Sequence, residues 1–429
     1  MYDLVIIGAG WAGFNAALRA KELGLSACLI DANELGGTCL HRGCIPTKSL
    51  ISSAKLFSLT KKSLNFGVRT AGLELDWQAV LAKKDKIIAT LHAGMQSRLK
   101  GIDFVQAGAR ITAPGEIKAD GRLIKAKFIL IATGSRPGKL ANFEFGQNNI
   151  ISSDQALVLT EVPPSILIIG GGVIGCEFAA LFGALGSQVT LVEKLPVLLS
   201  DQDREVSRKI ETVFKKKGVR VLTGTDPAGL TLKDYAKVLV CVGRTPQLDG
   251  LGLEELGVKF DSHRIAVDDY LQCNLDHCYA AGDCTGKLML AHYAAYQGSL
   301  AAENMARGNK RRADNQLVPA CIFTDPQIAS VGVRENDALT YPFALKVRKF
   351  DFRASGMAHI CEETEGFIKI ITEAGTDRIL GGSILGPQAC ELIAVVTLAV
   401  SCGLSASQFK EIIFAHPTLS ESLSETFRD

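Results

Sequence analysis

Two stretches of the chain decide its fold, because they are copies of one pattern. The first is LVIIGAGWAGFNAALRAKELGLSACLID at residues 4–31, and the second is ILIIGGGVIGCEFAALFGALGSQVTLVE at residues 166–193. In each copy an apolar strand runs into a glycine-rich turn, a helix follows, and a second strand ends on an acid. This order of elements is typical of a Rossmann-like dinucleotide-binding unit. The sequence therefore predicts an α/β protein with two such domains.

The glycines of these turns have a chemical role as well as a structural one. They permit a tight turn and let the backbone approach a pyrophosphate, which lies at the helix N-terminus where free N–H groups favour anions. The acid at the end of the second strand is placed to bind a ribose. The alternative is a plain turn that needs glycine only for packing. The candidate cofactor-binding residues are Gly8, Gly10, Gly13 and Asp31 in the first copy, and Gly170, Gly172, Gly175 and Glu193 in the second.

A second pair of similar segments closes the two units. ILIATGSRP (129–137) and VLVCVGRTP (238–246) both read as buried strands that end in a Gly-x-x-Pro turn. The first unit carries a much longer insertion before its closing strand, so we expect it to be elaborated for chemistry. One plausible arrangement is a tightly held flavin in one domain and an exchangeable nicotinamide in the other. The closing strands add Thr133, Gly134 and Gly243 to the candidate cofactor residues.

Asp283 is a further candidate for holding a cofactor. In CYAAGDCTGK (278–287) an apolar strand ends at Gly282-Asp283, where a carboxylate can hold the hydroxyl groups of a cofactor tail. The alternative is an Asx turn, in which the aspartate only caps its own loop.

Composition excludes several classes of function. A chain of 429 residues is too long for one ordinary hydrophobic core, so more than one domain is expected. Its content of 47% apolar and 21% charged residues is typical of a globular protein. A net charge of +2 gives no indication of nucleic acid or membrane binding. The longest apolar stretch, 392–404, is too short for a bilayer, and the chain opens directly on its first strand, so we expect no leader and a cytoplasmic location. Twelve cysteines without a framework pattern favour a reducing compartment.

Cys39 and Cys44 stand close together in GGTCLHRGCIPTK (36–48). They can be metal ligands, inert thiols or a working disulfide, and the spacing alone leaves all three open. A regular helix would separate their Cα atoms by about 7.5 Å along its axis, and a disulfide needs about 7 Å or less. Gly43 and Pro46 allow the irregular backbone that a disulfide requires. We favour a redox role, in which Lys48 supports a thiolate or a reduced flavin.

A second cysteine pair has the same spacing. Cys273 and Cys278 lie in apolar sequence, with His277 and Cys284 nearby. Free cysteine in such surroundings behaves as a small hydrophobe, so we predict core thiols here. Metal binding by this cluster is the alternative, but we expect no metal-binding residues in the chain.

The C-terminal part has a different pattern. From about residue 313 short strands such as GFIKIITE and RILGGSIL mix with helices such as 390–402. HPTLSE, near the end, holds His416 and Glu421, which can be a base and the acid that orients it. The alternative is a capping box formed by Thr418 and Glu421 at the start of the last helix.

These runs together resemble the pyridine nucleotide-disulfide oxidoreductases. The resemblance covers essentially the whole chain: GGTCLHRGCIPTK, both glycine motifs, IATGS, VGRTP, AGD, MLAH, TDPQIASVG, TEGFIKI, DRILGGSILGP and HPTLSES. It is closest to the members that oxidise dihydrolipoyl groups, whose usual motif has Asn at the position of His41. Other departures are Trp11 in the flavin turn and Phe414 where relatives often have histidine. The second domain is also short, because TGTDPAGLTLKDYAKVLVCVG (223–243) leaves little room for the strand hairpin usual there.

The resemblance implies a division of labour among the candidate residues. FAD is bound in the first site, with Thr38 among its contacts, and NAD in the second. Cys39 exchanges with substrate and Cys44 faces the flavin, while Lys48 pairs with Glu177 beside the flavin. His416, oriented by Glu421, reaches the disulfide of the other subunit of a homodimer.

The resemblance also implies a function. Electrons pass from a dihydrolipoyl group on a lipoylated carrier protein or lipoyl domain, through the disulfide and FAD, to NAD. Alternatives are a related disulfide or mercuric reductase, or a flavoprotein scaffold or redox sensor with little turnover. The expected domains are 1–145 (first FAD part, with the disulfide), 146–249 (NAD), 250–312 (second, central FAD part) and 313–429 (dimerisation).

Overall fold

The computed structural model describes residues 1–147, 149–339 and 341–428. The helices are α1 (Trp11–Glu22), α2 (Gly37–Arg42), α3 (Cys44–Lys61), α4 (Trp77–Arg98), α5 (Ser153–Ala156), α6 (Val173–Ala184), α7 (Arg204–Lys216), α8 (Leu253–Leu256), α9 (Ala291–Arg307), α10 (Gly356–Ile360), α11 (Ala389–Ser401), α12 (Ala406–Lys410) and α13 (Glu421–Glu425). The strands are β1 (Tyr2–Ile7), β2 (Ala27–Asp31), β3 (Asp103–Gln106), β4 (Ala109–Ala113), β5 (Glu116–Ala119), β6 (Arg122–Ile131), β7 (Ser135–Pro137), β8 (Ile150–Ser152), β9 (Ser165–Ile169), β10 (Gln188–Val192), β11 (Arg220–Leu222), β12 (Lys237–Val240), β13 (Arg244–Pro246), β14 (Phe260–Asp261), β15 (Arg264–Ile265), β16 (Cys278–Ala280), β17 (Ala320–Ile322), β18 (Gln327–Gly332), β19 (Leu345–Asp351), β20 (Phe367–Glu373) and β21 (Ile379–Gly386).

The chain divides into two compact units. The first comprises residues 1–49, 78–138 and 244–315, and the second comprises residues 50–77, 139–243 and 316–429. The chain therefore leaves the first unit twice and returns to it, and each dinucleotide-type repeat belongs to a different unit.

The first unit is built on a sheet in the order β3-β2-β1-β6-β5-β4, with β16 also paired to β6. The strands β3, β2, β1, β6 and β16 are parallel, and β5 and β4 continue the sheet in antiparallel pairing. Side chains of β1 alternate between two cores: Leu4 and Ile6 pack on one face, and Val5 and Ile7 on the other. This is the period of two that a buried strand requires.

The second unit contains the other dinucleotide-type sheet, in the order β11-β10-β9-β12-β8, with all strands parallel. Between β11 and β12 the chain forms only two short 3-10 turns, Pro227–Gly229 and Leu232–Asp234. Residues 223–236 thus contain no strand, which agrees with the expectation that this segment has little room for a hairpin.

The second unit also contains an antiparallel sheet, in the order β17-β18-β21-β20-β19, with α11 packed against it. Lys369 of β20 is 1% exposed and forms ion pairs with three carboxylates. Its Nζ lies 3.0 Å from Asp203, 2.9 Å from Glu205 and 2.5 Å from Glu335. Burial works against the charge, but the three acids outweigh it and raise the pKa of Lys369 above its ordinary value.

The architecture confirms the predicted fold class of two Rossmann-like units and a C-terminal α+β part. The predicted short strands of the C-terminal part are β20 and β21, and the predicted helix is α11. No helix in the described residues is long and apolar enough to cross a membrane.

Candidate functional site

The two cysteines of the candidate redox pair lie on consecutive helices. Cys39 is within α2, and Cys44 is the first residue of α3. Gly43 breaks the helix between them, with φ −146° and ψ −112°. A Cβ at this position would lie 2.9 Å from the carbonyl oxygen of Thr38, so only glycine permits the break. Pro46 falls in the first turn of α3, where no backbone N–H is needed. The irregular backbone expected from the sequence is therefore present at Gly43.

The thiols of Cys39 and Cys44 interact with each other. Both residues are partly buried thiols in this structure. The hydrogen bond to Cys44 and then burial raise the pKa of Cys39 well above its ordinary value. The indole of Trp11 and the backbone N–H of Cys44 oppose this shift. Two interacting thiols on either side of the Gly43 break are what a working disulfide requires.

The two glycine turns are built alike. Gly8 has φ +111°, and a Cβ there would lie 2.2 Å from the carbonyl oxygen of Ala132. Gly170 has φ +108°, and a Cβ there would lie 2.3 Å from the carbonyl oxygen of Cys241. In each copy the first glycine therefore lets the turn approach the closing strand. The following helix begins directly after the second glycine, at Trp11 or at Val173.

The acid at the end of each second strand braces its glycine turn. Asp31 accepts hydrogen bonds from the backbone N–H of Ala9 (2.7 Å) and of Asn33 (2.8 Å). Glu193 accepts equivalent bonds from Gly171 (2.6 Å) and Leu195 (2.7 Å). Each acid therefore joins the glycine turn to the segment that follows its own strand. Ribose binding by these acids stays a prediction.

Asp283 belongs to a network that the sequence did not reveal. Strands β7 and β13, the ends of the two closing segments, pair with each other. The side chain of Arg244 donates to Ser135 Oγ (2.7 Å) and to its carbonyl oxygen (2.8 Å), and Ser135 Oγ donates to Asp283. The aspartate is thus held by a neighbouring segment, not by an Asx turn of its own loop. The shared Gly-x-x-Pro ending was the available signal for this pairing.

Several polar atoms of the first unit are suited to a bound dinucleotide. Within the described residues, Ser49 Oγ, Thr133 Oγ1 and Gln297 Nε2 are buried without a hydrogen-bond partner. The other end of the Gln297 amide accepts from the N–H of Gly282, beside Asp283. Buried polar groups left unpaired cost about 1–3 kcal/mol each, so a flavin cofactor with polar ring and ribityl atoms fits this region. Gln297 is a candidate that the sequence analysis did not identify, although it stands out as an amide within an apolar helix.

Lys48 and Glu177 belong to different units of the chain. Lys48 lies on α3 in the first unit. Glu177 lies on α6 in the second unit, is 3% exposed, and accepts a hydrogen bond from the backbone N–H of Phe323 (2.9 Å). Their pairing beside a flavin stays a prediction.

His416 and Glu421 form the pair that their sequence pattern indicates. His416 Nδ1 lies 2.8 Å from Glu421 Oε2, and the imidazole is 80% exposed. The same carboxylate accepts from the N–H of Thr418 (3.2 Å), and Thr418 Oγ1 accepts from the N–H of Glu421 (3.2 Å). The side-chain pair is thus present together with reciprocal bonds between Thr418 and Glu421, but the N-cap of α13 is Ser420, and the catalytic role of His416 stays a prediction. The hydrogen bond from His416 lowers the pKa of Glu421, and Nε2 is left as the basic ring nitrogen.

The second cysteine pair is part of the core of the first unit. Cys273, Cys278 and Cys284 are all buried in one apolar cluster. The thiol of Cys284 donates to the carbonyl oxygens of Ile131 (3.3 Å) and Ala281 (3.2 Å). These residues pack as small hydrophobes, and the thiols of Cys273 and Cys278 interact with each other.

Comparison with known proteins identifies the family. The model of the pyridine nucleotide-disulphide oxidoreductases matches residues 2–298, and the dimerisation-domain model of that family matches residues 318–427. The chain belongs to the pyridine nucleotide-disulphide oxidoreductases. The enzyme is 39% identical to a dihydrolipoyl dehydrogenase of Thermus scotoductus over 99% of this chain and 96% of the relative. It is 36% identical to a dihydrolipoyl dehydrogenase of Bacillus subtilis over 99% of this chain and 97% of the relative.

Solved structures agree with this membership. LpdA of Mycobacterium tuberculosis matches the enzyme with a TM-score of 0.91 at 27% identity, covering 99% of this chain and 98% of that one. The HOCl-induced flavoprotein disulfide reductase RclA of Escherichia coli matches with a TM-score of 0.88 at 26% identity, covering 99% of each chain. The enzyme is a flavin-dependent disulfide oxidoreductase that uses FAD and NAD.

Proposed function

We propose that this enzyme is a dihydrolipoyl dehydrogenase that oxidises the dihydrolipoyl group of a lipoylated carrier protein or lipoyl domain. The observation that carries the proposal is the partly buried pair of Cys39 and Cys44 on either side of the Gly43 break, in a chain that matches dihydrolipoyl dehydrogenases over 99% of its length. A dithiol substrate exchanges directly with such a pair, because thiol–disulfide exchange needs only a thiolate attacker and an accessible sulfur. The overall reaction converts dihydrolipoyl and NAD⁺ into lipoyl disulfide, NADH and H⁺.

The proposed exchange begins at His416. Its Nε2 takes the proton of one substrate thiol, while Glu421 holds Nδ1–H and stabilises the imidazolium that forms. The substrate thiolate attacks the Cys39 sulfur of the oxidised enzyme. A mixed disulfide forms, the Cys39–Cys44 bond breaks, and Cys44 leaves as a thiolate.

The second substrate thiol completes the oxidation. Its sulfur attacks the substrate sulfur of the mixed disulfide, which closes the cyclic lipoyl disulfide and releases Cys39. His416 returns its first proton to the departing Cys39 sulfur and takes the proton of the second substrate thiol, so Cys39 ends as a thiol, Cys44 as a thiolate and His416 as an imidazolium. The substrate has lost two electrons and the enzyme disulfide has become a dithiol. FAD, when bound, supplies the two-electron chemistry that connects this dithiol to NAD.

The cofactor sites of the proposal follow the two repeats. For FAD we propose the first turn (Gly8, Gly10, Gly13), Asp31, Thr38, Lys48, Thr133, Gly134 and Asp283. For NAD we propose the second turn (Gly170, Gly172, Gly175), Glu193 and Gly243. The domain limits at residues 145, 249 and 312 belong to the same proposal.

A homodimer is part of the proposal. The match of residues 318–427 to a dimerisation-domain model supports it. The side chain of His416 is 80% exposed in the single chain. A base that acts on the disulfide of a second subunit needs to be accessible in this way. The cytoplasmic location also remains a proposal, which subcellular fractionation would test.

The experiment measures NADH formation by the FAD-loaded enzyme with NAD⁺ and dihydrolipoamide, and then with a reduced lipoyl domain. We expect rapid turnover with both and little NADH-dependent reduction of glutathione disulfide. If the enzyme prefers glutathione disulfide, or reduces other substrates with NADH but does not oxidise dihydrolipoamide, the proposal is wrong. The enzyme is then a different disulfide reductase. A flavoprotein that binds the lipoyl domain but forms almost no NADH would indicate a scaffold or redox sensor.

A further inference from the structure

Three potential metal ligands of the first unit have no part in the proposed reaction. Glu34 lies between β2 and α2, His41 lies in α2, and His92 lies in α4. One ligand atom of each residue lies within 4.8 Å of the other two. The side chain of His41 is 17% exposed and that of Glu34 is 63% exposed, so the cluster opens to solvent on the carboxylate side.

The orientation of the His41 ring identifies its ligand atom. Nε2 lies 2.8 Å from the carbonyl oxygen of Leu35, and since a carbonyl only accepts, Nε2 carries the hydrogen. Nδ1 is directed towards the carboxylate of Glu34, at 3.6 Å. A metal-binding histidine typically donates its other ring N–H to a carbonyl or carboxylate in this manner, which fixes the tautomer and the ring orientation.

The distance between His41 Nδ1 and the Glu34 carboxylate oxygen also favours a bound cation. At 3.6 Å, Nδ1 and the Glu34 oxygen are farther apart than a normal hydrogen bond of about 2.7–3.2 Å. Two ligand atoms on a tetrahedral ion, each bonded at about 2.0–2.1 Å, lie about 3.3 Å apart. A metal ion between the two atoms therefore requires only a small adjustment of an exposed glutamate.

His92 supplies the third ligand. Its ring stands at 88° to the ring of His41, edge to face, with the ring centroids 5.4 Å apart. Two imidazole nitrogens and one carboxylate oxygen are a donor set for zinc and its first-row neighbours, whereas magnesium and calcium prefer oxygen ligands alone. Three protein ligands leave a further coordination position for water.

We propose that Glu34, His41 and His92 bind a divalent transition-metal ion of the zinc class. The ion joins α2, the helix that carries Cys39, to α4 and to the segment after β2. This site is separate from the thiol exchange of the proposed function and does not depend on the identity of the disulfide substrate.

The test uses the oxidised, FAD-loaded enzyme, in which the closed Cys39–Cys44 disulfide cannot bind metal. Equilibrium dialysis against Zn²⁺ should give one ion per chain. His41→Asn keeps a donor for the Leu35 carbonyl but loses the metal ligand. His41→Asn and His92→Ala should each weaken zinc binding at least about 10-fold. Glu34→Gln should weaken it with little effect on the fold, because Glu34 is exposed. His263→Ala, an exposed histidine of the same unit, is the matched control and should bind like the wild type.

X-ray absorption at the zinc edge identifies the ligands. We expect nitrogen and oxygen neighbours at about 2.0–2.1 Å and no sulfur at about 2.3 Å. Flavin content and circular dichroism verify that each variant is folded. Sulfur in the first coordination sphere, wild-type affinity in folded Glu34→Gln, His41→Asn and His92→Ala, or no saturable zinc binding by the wild type would each overturn the proposal.

Discussion

Replacement of Glu421 by glutamine separates the two roles of this residue. The carboxylate of Glu421 accepts from His416 Nδ1 on one oxygen and from the N–H of Thr418 on the other. Glutamine keeps an oxygen for Thr418, so the capping interaction survives. Its amide nitrogen then faces Nδ1 and donates to it, which moves the ring hydrogen to Nε2. His416 thus presents an N–H where the proposed reaction needs a lone pair.

The expected loss follows from this change of tautomer. Loss of a positioned general base costs about 10²–10⁴-fold, and replacing the acid partner of a catalytic histidine by its amide costs about 10⁴-fold. At about 1.4 kcal/mol per tenfold, Glu421→Gln should raise the barrier by about 3–5 kcal/mol. The assay is dihydrolipoamide oxidation by NAD⁺, with reduction of an artificial acceptor by NADH as a route that bypasses the disulfide. Only the first activity should fall.

Thr418→Ala is the matched control. It removes the Oγ1 bonds to Ala415 and to the N–H of Glu421 but leaves the contact with His416. It should lower stability by about 0.5–2 kcal/mol and leave turnover close to that of the wild type. Turnover near wild type in Glu421→Gln, or equal losses in the two variants, would refute the assignment and leave only the cap.

The pH dependence of the pair follows from the pKa of Glu421. His416 lowers this pKa, so the carboxylate is ionised throughout the neutral range. The pairing is fully present above the ordinary pKa of glutamate and is lost only as the pH falls through the lowered value. A loss of turnover between pH 6 and 8 in the wild type therefore does not come from Glu421.

Three further predictions concern other residues. Cys39→Ser should show long-wavelength charge-transfer absorbance without reductant, because Cys44 remains reduced and its thiolate lies beside the oxidised flavin, whereas Cys44→Ser should not. A band in Cys44→Ser alone would reverse the roles. NAD should be strongly preferred to NADP, because Glu193 repels a 2′-phosphate, and comparable kcat/KM values for the two would contradict this. Lys369→Met should lower the free energy of unfolding by about 3–5 kcal/mol, since it takes the cation away from the buried Asp203 carboxylate and removes the partner that Glu205 and Glu335 share. Lys346→Met, at an exposed position of β19 in the same sheet, should stay within about 0.5 kcal/mol in denaturant titrations.

The sequence was sufficient to predict the two dinucleotide-type units, because their signals are local. Strand, glycine turn, helix and acid follow one another within a short stretch of chain, and the glycines at positions 8 and 170 are required by positive φ angles and close backbone contacts. The break at Gly43 and the pair of His416 and Glu421 were accessible for the same reason. Each joins residues that are near one another in the chain.

Contacts between distant segments could not be read in this way. The network of Ser135, Arg244 and Asp283 depends on the antiparallel pairing of β7 and β13. The cluster that includes His92 depends on α4 lying beside α2. Neither has a periodic pattern or a motif, since tertiary packing alone brings these residues together.

The two repeats also explain how one scaffold acquires a redox function. In both units an acid bonds the glycine turn with one oxygen and the following segment with the other. In the second unit this segment returns to the turn through Leu199, whose N–H donates to the carbonyl oxygen of Gly171 (2.9 Å). In the first unit the segment leads directly to the cysteine helix, and the N–H of Gly36 donates to the carbonyl oxygen of Ala9 (3.0 Å).

The start of the cysteine helix therefore rests on the glycine turn. A Cβ at Gly37 would lie 2.6 Å from the Cα of Gly10, so glycine at position 37 lets the two backbones touch. A cofactor bound at this turn is consequently adjacent to the helix that carries Cys39. The glycine turn held by an acid is common to both units, and the chemistry of the first unit derives from the segment that follows Asp31.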